Sequence, residues 1–296
     1  MSGNNGHTYG ISKYIATADG RKLHYMVNGS GEPTVVFESG MGASRSTWGL
    51  VQPAIARQVR AVVYDRAGFG KSDPDSQPRT LARLAEDLDT LLHALGRGPF
   101  ILVGHSWGGP VVRTVAAADP SRIRGVVLVD PSDEHCEMYF RRSTKAYFRM
   151  TRPLYPLLAR MGWYKRMGSG PGSVQPADVV RDHHSEDFTL RSARTASAEL
   201  ITFIDDLERF QSAPPDLGGL PLTIISGART TGQERKVRPA VMAAHRQSAA
   251  QHGGRLVEAP QSGHMVNYEQ PEIIISEIGR MLEPVEPVRA GIAPVS

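Results

Sequence analysis

The sequence of 296 residues contains a single cysteine, Cys136. That excludes an intrachain disulfide and any all-cysteine metal site. It has no run of eighteen apolar residues, so no segment reads as a membrane span. Charge of one sign is scarce as well. Thirty-four Lys and Arg stand against thirty Asp and Glu, a net +4, and this mild excess makes nucleic acid a poor fit as partner. The opening stretch from Met1 to Gly10 lacks the basic and apolar regions of a secretory signal, so cytoplasmic residence is the expectation. No internal repeat is present. What the chain does have is ordinary for a folded domain: 40% hydrophobic and 22% charged residues, enough apolar bulk for a sizeable core.

Short apolar runs alternate with amphipathic stretches, the pattern of an α/β domain with a largely parallel sheet. Tyr14 to Thr17 and Leu23 to Val27 flank Asp19-Gly20 as a hairpin. The runs at Thr34, Ala61, Phe100, Val126 and Leu222 are four or five residues each and suit strands covered on both faces. Between Thr80 and Leu95, apolar residues recur on one helical face, with Glu86, Asp87 and Asp89 off that stripe and Gly96 at the stop. A last helix opens at Pro271. About ninety residues separate the runs at Val126 and Leu222, more than a crossover needs. The expected division is therefore a core over 1–133 and 214–283, an inserted helical cap over 134–213, and a flexible tail over 284–296. Between Glu137 and Arg166 the cap carries eight Lys or Arg, one acid and seven of the twenty aromatics. Gly168 to Gly172 reads as a hinge.

Gly104-His105-Ser106-Trp107-Gly108 is the most informative segment. A buried strand leads in and an apolar helix leads out. In that setting Gly-x-Ser-x-Gly puts a serine on a sharp turn at a helix N-terminus, where free N–H groups favour a developing oxyanion. The alternative is a plain strand-to-helix turn with Ser106 as cap.

Together with three other segments, this motif resembles the α/β-hydrolase superfamily over residues 20–133 and 220–283. Ser39-Gly40-Met41-Gly42 lies where that family usually carries His-Gly, Asp65 to Ser72 matches the turn after the next strand, and Ser262-Gly263-His264 lies where it keeps its histidine. The fold implied is an α/β-hydrolase sheet, mostly parallel, with helices on both faces. The resemblance implies Ser106 as nucleophile and His264 as the base that takes its proton. The acid departs from the pattern, since no carboxylate occurs from Leu217 to Gln233. The superfamily's other position, the end of the preceding strand, holds Asp130. Asp133 and Glu134 are the alternatives, and an incomplete triad is the last. The N–H groups of Trp107 and Met41 are the expected oxyanion donors.

Other candidates carry less. His183 and His184 with Glu186 and Asp187 read as a solvated face rather than a metal site, His105 and Cys136 as structural, and Asp65-Arg66 as a brace for its loop. The expected activity is cofactor-free and metal-free: hydrolysis of an ester, lactone or thioester of a small hydrophobic acyl substrate. A serine nucleophile argues against the superfamily's epoxide hydrolases and haloalkane dehalogenases, which use a carboxylate. The basic, aromatic front of the cap fits an acidic acyl carrier protein or CoA, which would make the enzyme a thioesterase. A lyase, a cyclase or a ligand-binding receptor on the same scaffold are the competing readings.

Overall fold

The computed structural model describes residues 6–230 and 232–283; the tail expected over 284–296 lies outside the described residues. Strands β1 (Ile11–Ala16) and β2 (Lys22–Asn28) form the antiparallel hairpin expected around Asp19-Gly20. β3 (Thr34–Glu38), β4 (Ala61–Tyr64), β5 (Phe100–His105), β6 (Ile123–Val129), β7 (Leu222–Gly227) and β8 (Arg255–Ala259) follow. The eight strands make one sheet in the order β1-β2-β4-β3-β5-β6-β7-β8. The β2–β4 pair is antiparallel, and every pair from β4 to β8 is parallel.

Side chains alternate across this sheet with the period of two that a pleat imposes. Val35, Phe37, Ile101, Val103, Val127 and Val129 enter one core, while Val36, Leu102, Val126 and Leu128 enter the other. Both faces are therefore covered, as a parallel sheet requires. α1 (Gln52–Ile55) lies on the first side. α2 (Leu81–Leu95) and α3 (Gly108–Ala118) lie on the second.

The Thr80 hydroxyl accepts from the Arg83 N–H at 3.2 Å to start α2, and Gly96, at φ 127°, stops it. Asp87, off the apolar stripe of α2, is nonetheless buried, because Arg21 reaches it with two hydrogen bonds of 2.9 and 2.7 Å. β8 was not visible as an apolar run. It is an edge strand paired on one side only, so Arg255 and Glu258 stay exposed.

Between β6 and β7 the chain forms α4 (Arg142–Thr151), α5 (Leu154–Arg160), α6 (Trp163–Gly168), α7 (Ala177–Asp182) and the long α8 (Leu190–Ser212). α8 buries Ala193, Ala196, Leu200, Phe203 and Leu207 against the rest of the molecule. α4 and α5 bury no residue. The glycines expected as a hinge are not uniformly free. Gly172 is buried, and a Cβ there would lie 2.5 Å from the His183 ring, so that end is a packed turn. α9 (Arg238–Gln251), α10 (Val266–Glu269) and α11 (Pro271–Leu282) complete the fold. Among the described residues no helix is long and apolar enough to cross a membrane.

Candidate active site

The site begins with backbone geometry. Among the described residues, two non-glycine residues have positive φ: Ser106 at 53° and Asp130 at 42°. Such conformations are costly and persist only where the surroundings hold them. Ser106 follows the last residue of β5, with Trp107 between it and α3, on a turn that only glycine neighbours allow. A Cβ on Gly104 would lie 2.5 Å from the Gly108 carbonyl oxygen, and one on Gly108 would lie 2.7 Å from that of Glu38. The Ser106 N–H donates to the Val129 carbonyl at 3.0 Å. Its own carbonyl accepts from the Gly109 and Ser132 N–H groups, both at 2.9 Å.

Asp130 stands at the end of the neighbouring strand, β6, and is buried. One carboxylate oxygen accepts from the Gly227 N–H at 2.9 Å and from the Arg238 guanidinium at 2.6 Å. The other lies 2.7 Å from His264 Nδ1. Burial works to raise the carboxyl's pKa. The His264 hydrogen bond and charge, with His245 and Arg238, outweigh it and hold the group well below the usual carboxylate range. An ionised carboxylate only accepts, so His264 donates from Nδ1 and leaves Nε2 as an acceptor. That atom lies 3.0 Å from Ser106 Oγ. The three residues singled out from the sequence thus form one connected chain.

His264 sits in the loop between β8 and α10, half-exposed beside a buried acid. Its backbone N–H donates to Glu234 at 3.0 Å, and its carbonyl accepts from His105 Nε2 at 3.0 Å. Burial, and then the neighbouring His264 charge, lower the His105 pKa to about 3, so this ring stays neutral while it braces the loop.

The alternatives for the acid are occupied elsewhere. Asp133 accepts from the His135 N–H at 2.8 Å, and Glu134 is held by two 2.8 Å bonds from Arg113. Cys136 is buried, which pushes its thiol pKa up, away from thiolate chemistry. The expected solvated face at His183 to Asp187 is a correction. His183 and Asp187 are buried and 2.8 Å apart, both bonded to the Ser46 hydroxyl, and Glu186 accepts from Arg45 at 2.7 Å. A π-turn over His183–Asp187 points these side chains inward.

Met41 and Trp107, whose N–H groups are the expected oxyanion donors, line the same cleft as Ser106. Gly40 is so close that a Cβ on it would lie 3.1 Å from Ser106 Cβ. Neither the Met41 nor the Trp107 backbone N–H has a backbone acceptor among the described residues. The carbonyl of the Gly40–Met41 peptide accepts from Arg66 at 2.8 Å. Arg66 also donates to Glu38 at 2.6 Å, to the Ser39 carbonyl, and twice at 3.0 Å to Glu199 on α8. All three charged groups are buried. Within the 65–72 loop it is Asp65 that acts as the brace, accepting from the Lys71 N–H at 3.1 Å, whereas the Arg66 side chain holds the loop after β3 and ties α8 to the peptide beside the serine.

Arg238, Glu234 and Glu199 were not singled out from the sequence. Each lies far along the chain from its partner, and no local pattern marks it. The one signal was indirect. The acid-free stretch after β7 moves the carboxylate to β6, where a buried charge needs a cation.

Above Ser106 and His264 opens a cleft of about 490 Å³, with walls that include Tyr139, Phe148, Tyr155, Tyr164 and Phe203. Phe203 is central to that wall, edge-on to Trp107, Tyr139 and Phe148 at 4.8, 5.5 and 5.7 Å. A larger cavity, about 710 Å³, lies between residues 74–79 and the outer side of α8, and none of Ser106, Asp130 and His264 lines it. The chemistry belongs to the smaller one.

Comparison with known proteins agrees with this fold. The alpha/beta hydrolase family profile matches residues 35–277. The chain is 24% identical over 266 residues to YqjL of Bacillus subtilis, covering 87% of each. Over 120 residues it is 34% identical to Bifunctional epoxide hydrolase 2 of Sus scrofa, which is 40% of this chain and 21% of that one. The crystal structure of the Cif epoxide hydrolase from Acinetobacter nosocomialis superposes with a TM-score of 0.74 at 18% identity, covering 92% of this chain and 89% of that one. At that identity the likeness is one of fold.

The depressed pKa of Asp130 links folding to pH. In the unfolded chain the carboxyl titrates near 3.9 (roughly). Above that value its ionised form favours the folded state fully, and the contribution is lost as pH falls toward the lower folded-state pKa. Urea unfolding of Asp130→Asn should therefore lose less stability between pH 5 and pH 3 than the parent protein does. Parallel losses would contradict the linkage.

Proposed function

Because the chain belongs to the alpha/beta hydrolase family, we propose that it is a cofactor-free serine hydrolase acting on an ester, lactone or thioester with a hydrophobic acyl group. The observation that carries this reading is the relay from Ser106 Oγ through His264, 3.0 Å on one side and 2.7 Å from Asp130 on the other. As Ser106 Oγ attacks the carbonyl carbon, its proton passes to His264 Nε2 and the carbonyl electron pair moves onto oxygen. The Met41 and Trp107 N–H groups are the donors for that oxyanion. His264 then gives its proton to the leaving oxygen or sulfur, and a water molecule repeats the sequence to release the acid. Asp130 keeps the ring in the required tautomer and stabilises its charged form.

Family membership and relatives named as hydrolases support a hydrolase in general; the finer assignment rests on residue chemistry. Relatives named as epoxide hydrolases belong to a class that uses a carboxylate nucleophile, as the superfamily resemblance implies, and position 106 is serine. The aromatic walls of the 490 Å³ cleft favour an acyl group of medium size over a small polar one. Residues 134–213, which supply most of those walls, act as the cap in this reading.

A fluorophosphonate probe tests the nucleophile. Labelling is expected on Ser106 and absent from Ser106→Ala, while Asp130→Asn should slow turnover about 10⁴-fold with the fold intact. Labelling elsewhere would reject Ser106 as the nucleophile, and no labelling would favour a receptor. A panel of p-nitrophenyl esters, lactones and thioesters of graded chain length separates the substrate classes. Arg66 orients the peptide that bears the Met41 N–H, so Arg66→Lys and Glu199→Gln should each lower kcat by about tenfold with KM nearly unchanged. A change in KM alone would assign this trio to substrate binding instead.

A further inference from the structure

The segment between β6 and α7 has a surface that the chemistry at Ser106 does not account for. Residues 137–166 hold eight cations and one acid, a net +7, while the remaining chain has 26 basic and 29 acidic residues, a net −3. Among the described residues, Lys145 pairs with Glu208, and the other seven cations have no acidic partner within 4.0 Å. Large apolar side chains protrude from the same helices. Tyr147, Met150, Leu154, Leu157 and Met161 recur at three- and four-residue spacing and are 45–73% exposed, and Trp163 is 58% exposed. The opposite sides of these helices, through Phe148, Tyr155 and Tyr164, line the cleft above Ser106.

We propose that the outer face of α4 to α6 is a docking surface for an anionic lipid bilayer, with the cleft opening directly beneath it. Cations interleaved with protruding apolar side chains are what a helix lying in a membrane interface presents: the cations meet anionic headgroups, and the apolar tips enter the acyl boundary. A second copy of this chain would bring +7 against +7. An acidic soluble protein satisfies the cations and leaves the separate apolar tips to be matched one by one. The bilayer satisfies both sets at once. At such a surface a hydrophobic ester would reach the cleft across a single helix layer, about 10 Å thick. The docking itself does not depend on the hydrolytic reading.

Trp163 supplies a direct probe, since Trp48 and Trp107 are fully buried. Tryptophan emission of the Ser106→Ala protein is followed as vesicles of phosphatidylcholine, with or without one-third phosphatidylglycerol, are added. Using this variant keeps the outcome separate from any failure of the serine mechanism. The expected result is a blue shift with anionic vesicles only, absent in Trp163→Phe. Cosedimentation should weaken at least tenfold between 0.05 and 0.5 M salt, and likewise in Arg149→Glu/Arg160→Glu or Met150→Ser/Leu157→Ser. Unchanged circular dichroism and thermal midpoint show that these variants fold. Equal binding to neutral vesicles, no binding to either, or variants that bind like the parent would overturn the proposal. So would tight binding to a soluble acidic acyl carrier protein without vesicle binding, which would make the face a carrier-docking site.

Discussion

The site depends on the burial of one ionised carboxylate. Asp130 is buried at the end of a central strand, at a positive φ, with its carboxylate set among Gly227, Arg238 and His264. An unpaired charge there would be prohibitive, so the neighbourhood is built to hold it: the Gly227 N–H and Arg238 bind one oxygen, and His264 binds the other. That arrangement leaves the imidazole a single useful tautomer. The orientation of Nε2 toward Ser106 follows from electrostatics, not from a tight fit around the ring, which is half-exposed.

A second buried charge cluster does the corresponding work on the opposite side of the serine. Arg66, between Glu38 and Glu199, holds the carbonyl of the Gly40–Met41 peptide, whose N–H is the proposed second oxyanion donor. The two clusters share a logic. Each spends desolvation of a charged group to fix the direction of a neutral one, a proton acceptor in one case and an amide donor in the other. Glu199 belongs to α8, so this cluster joins α8 to the loop after β3. The aromatic walls of the cleft stand on that same segment.

Much of this was legible in the residues themselves. Buried parallel strands announce themselves because both their faces are apolar, and the β-branched runs at Val35, Val62, Ile101 and Val127 are of that kind. β8 offers no apolar run because an edge strand exposes one side, and Arg255 and Glu258 break its pattern; only the superfamily resemblance places a final strand before His264. The glycines around Ser106 were readable because a sharp turn has few chemical solutions. Asp130 was reachable by the absence of acid after Leu222 and by the superfamily's alternative position. What could not be read is pairing over long separations. Arg238 lies 108 residues from Asp130 and Glu199 lies 133 from Arg66, and no periodicity encodes either. His183 and Asp187 misled for a related reason: a charged, histidine-rich stretch looks solvated until Ser46 and Arg45 arrive from another element to bury it.

The most direct test of the account is the tautomer of His264, read by nitrogen-15 NMR of the histidine side chains. The expected result is a proton on Nδ1, with a low-field resonance that vanishes in Asp130→Asn. A neutral ring protonated on Nε2 in the parent protein would contradict it, since that nitrogen would then have no lone pair to offer Ser106.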